Sequence, residues 1–343
     1  MRLVLLGFGT VGQGLAELLL EKKSELKARY GLDWTVVGIA DTLKGNACAP
    51  KGLDLAKALE LAKKGENLKA LDTCGCGWDA LGFAQKAECD AILEATYTDI
   101  KTGEPATSHI RAALERGVHV ITSNKGPLAL HYKELSALAA KKGAQFLFEG
   151  TVMSGTPVLN LIRGPLAGTD VLEIKGILNG TTNYILTRME EGLSYEAALK
   201  KAQELGFAEA VPDADVLGWD ALAKVTIMAN VVFGAPLKPG DSPCEGITTI
   251  TSEDISKAKA AGKRYKLIGR VWRENGKVHG SVSPQLVELT HPLAGVMGAT
   301  NAMAIRTDAL GEVTIIGPGA GRKETGFAML TDLIRVARHS KKQ

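Results

Sequence analysis

The glycine-rich segment Gly7-Phe8-Gly9-Thr10-Val11-Gly12 constrains the fold of this chain most strongly. The apolar run ahead of it predicts a strand, and the pattern after it predicts a helix. In that setting Gly7 allows a tight turn, Gly9 lets the backbone approach a pyrophosphate, and Gly12 lets the helix pack closely on the strand. The start of the helix offers free N–H groups to the phosphates. We therefore expect a Rossmann domain whose cofactor contacts include the following six residues: Gly7, Phe8, Gly9, Thr10, Val11 and Gly12.

Alternating strands and helices continue as far as residue 148. The predicted strands are 34–40, 91–95, 118–122 and 144–148, and the predicted helices between them include 54–63, 109–116 and 132–142. This alternation implies right-handed parallel crossovers and a doubly wound sheet. Ligands bind beyond the carboxyl ends of such strands, where Thr96 and Lys125 lie. We expect Lys125 to sit on a loop that faces the reactive end of the cofactor.

The second predicted strand ends in Asp41. An acid at this place usually binds the adenine-ribose hydroxyls and disfavours a 2′-phosphate. The gap after Gly12 is longer than the usual spacing, because the first helix is predicted to continue to Tyr30. Thr42 and Lys44 follow the acid, so a 2′-phosphate is not excluded. The sequence thus favours NAD over NADP by a modest margin.

Beyond Gly150 the order of predicted elements changes. A strand and two helices are followed by antiparallel strands from Tyr265, with a hairpin turn at 274–277. A glycine-rich turn at 317–321 precedes the last helix and is expected to return to the cofactor. The sequence predicts an α/β chain in which 1–150 with 318–343 form the dinucleotide-binding domain and 151–317 form an inserted α+β domain.

The stretch 205–233 carries the most unusual charges. From Val216 onward it predicts a helix of about five turns that is apolar nearly all round, and such a helix is normally buried. Asp220 and Lys224 share one face of it at i and i+4. An ion pair on a solvated surface is the ordinary interpretation, but the helix has no polar face, and burying unpaired charges is expensive. We therefore predict that both residues belong to an active site, with acidic residues such as Asp213 at the entrance to the helix.

Composition limits the partners and the compartment. The net charge of +3 is too small to indicate nucleic acid binding, no apolar run reaches membrane-spanning length, and no signal peptide is recognisable. Five cysteines, an odd number, suit a reducing compartment, so we expect a cytoplasmic protein without membrane attachment. Cys74-Gly75-Cys76 is the only close pair of cysteines. It lacks a second pair or nearby histidines, so no zinc site is expected.

Taken together, seven motifs resemble the homoserine dehydrogenase family over essentially the whole chain. They are GFGTVG at 7–12, SNKGPLA at 123–129, EGTVMSGTP at 149–157, ILNGTTNYIL at 177–186, LGFAEAVPDADVLGWDALAK at 205–224, HPLA at 291–294 and GPGAG at 317–321. The resemblance implies the NAD(P)-dependent interconversion of L-homoserine and L-aspartate 4-semialdehyde, on the branch toward threonine, methionine and isoleucine. Because the chain ends soon after the last predicted helix, we expect the short form of the family, without a C-terminal regulatory domain.

The resemblance also implies roles for individual residues. Lys224 would be the proton donor, with Asp220 and Lys125 as its catalytic partners. Glu209 would bind the substrate amine, and Thr96, Lys125 and Gly319 would contact the cofactor. The negative charge of Asp215 also suits an α-ammonium group, so the predicted substrate-binding set is Glu209, Asp215, Gly180 and Lys125, and Asp41 joins the predicted cofactor contacts through its place at the strand end. A loop that binds Na⁺ or K⁺, largely through backbone carbonyls, would comprise Glu149, Val152, Ser154 and Thr156. The family precedent is a homodimer joined through a sheet of the domain 151–317, which would carry both catalysis and dimerisation.

Two other functions remain open at this point. A sugar-oxidising dehydrogenase family also pairs a glycine-rich nucleotide fold with an Asn/Glu-Lys-Gly/Pro loop, but neutral sugars do not need the acidic entrance before Asp220. A catalytically inactive dinucleotide sensor is the second alternative, and the retention of both Lys125 and Lys224 argues against it.

Overall fold

The protein is described over residues 1–340 by a computed structural model. Its strands are β1 Arg2–Leu6, β2 Thr35–Ala40, β3 Ala47–Cys48, β4 Ala91–Glu94, β5 His119–Thr122, β6 Phe146–Leu147, β7 Val171–Ile177, β8 Lys263–Glu274, β9 Lys277–Glu288, β10 Thr300–Thr307 and β11 Gly311–Pro318. Its helices are α1 Thr10–Glu21, α2 Lys23–Tyr30, α3 Leu55–Lys64, α4 Ala80–Lys86, α5 Ala106–Glu115, α6 Lys125–Leu130, α7 Tyr132–Lys142, α8 Val158–Arg163, α9 Gly180–Glu190, α10 Tyr195–Glu204, α11 Asp213–Val216, α12 Trp219–Val231, α13 Ser252–Ala260 and α14 Arg322–Ser340. Of these helices, none is both long and apolar enough to span a bilayer.

The chain forms two compact units. The first comprises residues 1–155 together with the chain from Gly321 onward, and the second comprises residues 156–320. The second unit is therefore inserted into the first. That the first unit binds the dinucleotide and the second serves catalysis and dimerisation, with boundaries at 150 and 318, stays a prediction.

The first unit is built on a six-stranded sheet in the order β3-β2-β1-β4-β5-β6. Every pairing is parallel except that of the two-residue edge strand β3, which runs antiparallel to β2. Strand β4 is buried along its whole length and β1 at every residue after Arg2, as expected of strands covered on both faces. The predicted doubly wound parallel sheet is confirmed. The edge strand β3 was not predicted, because two residues carry no periodicity.

The turn between β1 and α1 depends on its first glycine. Gly7 has a φ of +88°, and a Cβ there would lie 2.3 Å from the carbonyl oxygen of Ala95. A side chain is therefore excluded both by the backbone conformation and by space. The helix that follows does not continue to Tyr30 as predicted, because the chain bends at Lys22 between α1 and α2. The bend lets Leu26, the one buried residue of α2, reach the core.

The last helix, α14, completes the first unit by packing against α1. Glycines lie where the two helices approach most closely. A Cβ on Gly14 would lie 2.1 Å from the carbonyl oxygen of Arg322, and a Cβ on Gly326 would lie 2.6 Å from the backbone nitrogen of Leu15. Arg322 also forms an ion pair with Glu17 of α1 at 2.8 Å. Residues more than 300 positions apart therefore share one helix–helix contact.

The second unit is built on an antiparallel sheet in the order β11-β10-β7-β8-β9. The predicted hairpin between β8 and β9 is confirmed, with Asn275 and Gly276 both at positive φ. Helix α12 packs on β8 and β9, and α9 packs on β8 and β10. The predicted five-turn helix from Val216 is wrong at its start. Gly218, with a φ of +86°, separates the short helix α11 from α12.

Candidate active site

The centre of the site in the second unit is a buried ion pair within α12. Lys224 Nζ donates to Asp220 Oδ2 at 2.8 Å and to the backbone carbonyl of Leu178, just after β7, at 2.6 Å. Their side chains are 7% and 19% exposed, so this is not a solvated surface pair. The predicted pairing on a shared, apolar face is observed, and it attaches the amine to the loop that follows β7.

Asn179 links this pair to a second carboxylate. Its Nδ2 donates to Asp215 Oδ1 at 2.7 Å and to Asp220 Oδ2 at 3.0 Å. Its Oδ1 accepts from the backbone N–H of Thr182 at 2.9 Å and so caps α9. One amide therefore holds both acids at the start of α9, and the cap fixes its orientation.

The surroundings of Asp215 alter its titration. Burial raises the pKa of its carboxyl, and the neighbouring charge of Asp220 acts in the same direction. Hydrogen bonding from Asn179 and the charge of Lys224 oppose these effects but do not cancel them. Asp215 consequently exchanges its proton at a higher pH than an ordinary aspartate.

The other predicted substrate residues are placed differently. The structure does not join Glu209 to this cluster within the described chain: its side chain is exposed, and its backbone carbonyl accepts from Gln203. Asp213 is likewise exposed, at the start of α11. Gly180 is the first residue of α9, directly after the capping Asn179.

Gly319 lies against a buried polar side chain. A Cβ at this position would come within 2.0 Å of the Asn301 amide. Asn301 is fully buried, and neither atom of its amide has a hydrogen-bond partner within the described chain. Only glycine fits beside it, so the requirement for Gly319 is one of space.

In the first unit, Asp41 forms hydrogen bonds that hold the glycine-rich turn between β1 and α1. The Asp41 carboxylate accepts backbone N–H groups from Phe8 at 2.7 Å, Leu43 at 3.0 Å and Lys44 at 2.9 Å. Phe8 is completely buried, and its N–H donates to Asp41, so this residue holds the turn in place. A side chain on Gly9 would meet no protein atom within 4 Å, which leaves the approach to the helix start open. The N–H groups of Thr10, Val11 and Gly12 belong to the first turn of α1, where no intrahelical acceptor is available.

A buried carboxylate organises the carboxyl ends of β4 and β5. Glu94 accepts from the Thr96 hydroxyl and, at 3.0 Å, from the Thr96 backbone N–H. Its second oxygen accepts from the Thr122 hydroxyl at 2.8 Å. Asn124 donates to the carbonyl of Tyr97 at 2.9 Å and caps α6, whose first residue is Lys125. Lys125 is thus fixed at a helix start, and its prediction as a loop residue is wrong.

The predicted cation loop has an unusual backbone. Met153 and Ser154 both have φ above +50°, in the left-handed region that residues other than glycine rarely adopt. Glu149 is buried, and its backbone N–H donates to Asp332 at 2.8 Å. The Ser154 hydroxyl pairs with that of Thr325 at 2.8 Å. In the second unit, the Thr156 hydroxyl donates to the carbonyl of Pro318 at 2.9 Å.

Among the residues of these networks that were absent from the predicted set are Asn179, Glu94 and Asn301. Asn179 had a signal, because an Asn before a predicted helix start is a typical cap, and it stands beside the predicted Gly180. Glu94 also had a sequence signal, because an acidic residue at the end of a buried strand needs hydrogen-bond partners. Asn301 lies in a strand and had no local signal.

Family comparisons agree over both units. Residues 7–149 match the model for the homoserine dehydrogenase NAD binding domain, and residues 157–334 match the model for homoserine dehydrogenase. The NAD(+)-dependent homoserine dehydrogenase of Pseudomonas canavaninivorans is 45% identical over 338 residues, covering 98% of this chain and 96% of that protein.

Solved structures give the same result. A protein from Archaeoglobus fulgidus assigned as a homoserine dehydrogenase matches with a TM-score of 0.89 at 39% identity, covering 98% of this chain and 99% of that one. A mutant homoserine dehydrogenase from a hyperthermophilic archaeon, in complex with NADPH, matches with a TM-score of 0.84 at 31% identity, covering 100% of this chain and 98% of that one.

The comparisons decide between the functions left open by the sequence. The match covers the acidic segment before Asp220 as well as the glycine-rich turn, so the sugar-oxidising alternative is wrong. The chain belongs to the homoserine dehydrogenase family, the NAD(P)-dependent oxidoreductases that interconvert L-homoserine and L-aspartate 4-semialdehyde.

Proposed function

We propose that Lys224 exchanges the proton with the substrate oxygen. The observation that carries this role is a buried amine that, within the described residues, donates to two acceptors, the carbonyl of Leu178 and the carboxylate of Asp220. An ammonium offers three donors, which leaves one for a substrate oxygen. Asp220 would orient the amine, and it keeps the charge of the pair balanced in surroundings where an unpaired charge is unfavourable.

The chemistry needs such a group at the reacting oxygen. The bound nicotinamide supplies or accepts the hydride. In the direction of reduction, negative charge develops on the aldehyde oxygen, and a positioned ammonium stabilises it and then donates the proton. In the direction of oxidation, the neutral amine accepts the hydroxyl proton. We assign Lys125 to hold the aldehyde group, on the resemblance and on its fixed place at the start of α6.

The ends of the substrate match the charges of the second unit. Asp215 is anchored by Asn179 and offers a carboxylate to the α-ammonium group, and Glu209 adds negative charge from an exposed position. The start of α9, at Gly180, offers backbone N–H groups to the α-carboxylate. Homoserine would thus be recognised at both of its ionised groups.

We favour NAD over NADP because of Asp41. Three backbone N–H groups fix its carboxylate at the end of β2, and a fixed negative charge there repels a 2′-phosphate. Its oxygens have about four lone-pair sites for three N–H bonds, so a ribose hydroxyl can still be accepted. The relatives use both cofactors: that from Pseudomonas canavaninivorans is NAD(+)-dependent, and the archaeal one binds NADPH.

A monovalent cation fits the loop that contains Glu149, Val152, Ser154 and Thr156. The donors are oxygen atoms only, which suits Na⁺ or K⁺ rather than a soft metal. The two consecutive left-handed residues are a strained conformation that a bound ion would help to hold. In this role the ion is structural, and no step of the reaction passes through it.

We further propose a homodimer in the cytoplasm. The edge strand β9 is 12 residues long and has Leu286 about half exposed on it, and edges of this kind pair readily with another strand. The odd number of cysteines in the sequence favours a reducing compartment. Sedimentation equilibrium of the full chain would test the dimer, and a single monomeric species at micromolar concentration would rule it out.

Activity on truncated substrates tests the proposed recognition. We expect NAD(P)H to form with L-homoserine, with kcat/KM at least about tenfold lower for 4-hydroxybutyrate, which lacks the ammonium, and for 3-aminopropan-1-ol, which lacks the carboxylate. Asp215→Asn should erase most of the preference for homoserine over 4-hydroxybutyrate and leave the preference over 3-aminopropan-1-ol. If the variant keeps both preferences, Asp215 does not bind the ammonium group.

A further inference from the structure

Three of the five cysteines lie together in the first unit. The Sγ atoms of Cys48, Cys74 and Cys76 are all within 4.8 Å of one another. In the sequence, only Cys74 and Cys76 lie close together. The third thiol comes from β3, far upstream, and the sheet brings it to that pair. The prediction that no zinc site is present therefore did not take the Cys48 thiol into account.

Hydrogen bonds hold the two segments that carry these thiols. Asp72 Oδ1 accepts the backbone N–H of Cys48 at 3.0 Å and that of Cys74 at 3.4 Å. In return, the Thr73 N–H donates to the Cys48 carbonyl at 2.8 Å, while Cys48 is also paired with Gly38 of β2. The approach of the thiols is thus set by the backbone.

The backbone around the close pair is specialised. Gly75 and Gly77 have φ of +61° and +64°, and a Cβ at either would meet no protein atom within 4 Å. Their requirement is therefore for the left-handed conformation and not for space. The alternation Cys-Gly-Cys-Gly makes a tight turn that presents both thiols to Cys48.

We propose that Cys48, Cys74 and Cys76 bind one Zn²⁺ ion as thiolates, with water in the fourth position. Zinc bonds of about 2.3 Å in a tetrahedron place sulfur atoms about 3.8 Å apart. Thiols already within 4.8 Å need to close by only about 1 Å, which side-chain rotation supplies. Thiolate ligands select zinc over magnesium or calcium, and binding releases the three thiol protons. Cys48 is buried and Cys74 is exposed, so the ion enters from the solvent side.

The site has a defined structural effect. It joins the edge strand β3 to the loop 72–78, which has no helix or strand of its own. Asn46 connects the same loop to the cofactor side of the sheet: its Nδ2 donates to the Trp78 carbonyl at 3.0 Å, and its Oδ1 accepts the Asp41 N–H at 3.0 Å. The ion therefore stabilises the edge of the first unit next to Asp41.

Metal titration of the full chain tests the proposal. Purified protein is reduced, dialysed against a chelator, and titrated with Zn²⁺ or Co²⁺ without oxygen. We expect one ion per chain after gel filtration, a thiolate-to-cobalt charge-transfer band, and a higher unfolding temperature with Zn²⁺. Cys74→Ser and Cys76→Ser, which alter thiols that are not buried, should weaken binding by about a hundredfold or more.

Cys89→Ser is the matched control, because Cys89 lies in the same unit outside the cluster. It should bind zinc as the wild type does. The proposal is overturned if the wild type binds less than half an ion per chain at saturation. It is also overturned if Cys74→Ser binds as tightly as Cys89→Ser, which would identify an adventitious ion. Loss of two thiols in air with no metal uptake would show instead that the cluster forms a disulfide.

Discussion

Replacing Lys224 by methionine separates its catalytic role from its structural one. Methionine is similar in length and apolar, and it suits a position where the native residue is only 5% exposed. The substitution removes two hydrogen bonds of a charged donor, to Leu178 and Asp220, each worth about 1.5–3 kcal/mol. The native amine also loses hydration on burial, which offsets part of that gain. Removing one partner of the buried ion pair leaves the Asp220 charge uncompensated, so we expect a net loss of stability of about 3–5 kcal/mol, at the lower end of or below the roughly 5–15 kcal/mol by which folded proteins are stable.

The effect on the rate should be larger. Loss of a general acid–base group lowers kcat by about 10²–10⁴-fold, or about 2.7–5.4 kcal/mol of barrier. Both directions should fall, because one amine serves both. Initial rates at saturating substrate and cofactor measure this loss, and quenching of intrinsic fluorescence measures NAD binding, which should not change.

Lys266→Met is the matched control, since Lys266 is equally buried in the same unit and lies outside the proposed site. Its Nζ donates to Asn183 Oδ1 at 2.9 Å and to the carbonyl of Val296 at 2.5 Å. It should keep kcat within about an order of magnitude of the wild type. The assignment of Lys224 is refuted if Lys224→Met retains more than about a tenth of wild-type kcat, or if both variants lose the same amount.

Three further predictions concern pH and cofactor choice. The raised pKa of Asp215 implies that KM for homoserine rises as pH falls through that pKa, because the protonated acid cannot bind the ammonium group. Asp215→Asn should show a high KM at every pH. A wild-type KM that does not change with pH would contradict this role of Asp215. Asp41→Asn should shift the ratio of kcat/KM toward NADP while keeping an acceptor for the backbone N–H groups. Asp41→Gly should shift the ratio similarly, with a larger loss of stability. An unchanged ratio in both variants would show that Asp41 does not discriminate between NAD and NADP. Burial lowers the pKa of Lys266 to about 8, below its unfolded value of 10.5, so the unfolded chain binds more protons between these values and the wild type gains stability as pH rises through them. The stability of the wild type relative to Lys266→Met, whose side chain does not titrate, should therefore rise by up to about 3 kcal/mol between pH 8 and 10.5, and denaturant melts showing a constant difference would contradict this.

The sequence predicted the elements that repeat a pattern. The parallel sheet followed from alternation, and the buried face of α12 followed from apolar residues surrounding two charges. Errors arose where one residue decided the geometry. Gly218 ends α11 by adopting a positive φ, and Lys22 bends a helix so that Leu26 is buried.

The candidate site was predictable in its charges but not in its connections. The i,i+4 spacing indicated that Asp220 and Lys224 meet, since a helix fixes that distance. The bonds of Asn179 to two acids, and the proximity of Cys48 to Cys74, join segments that are distant in the chain. Such contacts depend on the tertiary packing of β7, α12 and β3, which no local pattern specifies.

The helix pair of α1 and α14 has a consequence for synthesis. Gly326 is translated more than 300 residues after Gly14, so their contact cannot form until the inserted second unit has been synthesised. The inserted second unit, which has its own sheet, is complete before that. Although domains commonly fold from the N-terminus during translation, here the earlier-translated unit must wait for its last helix. In the nascent chain, the face of α1 that α14 covers is therefore exposed for the time needed to synthesise the residues between the two helices.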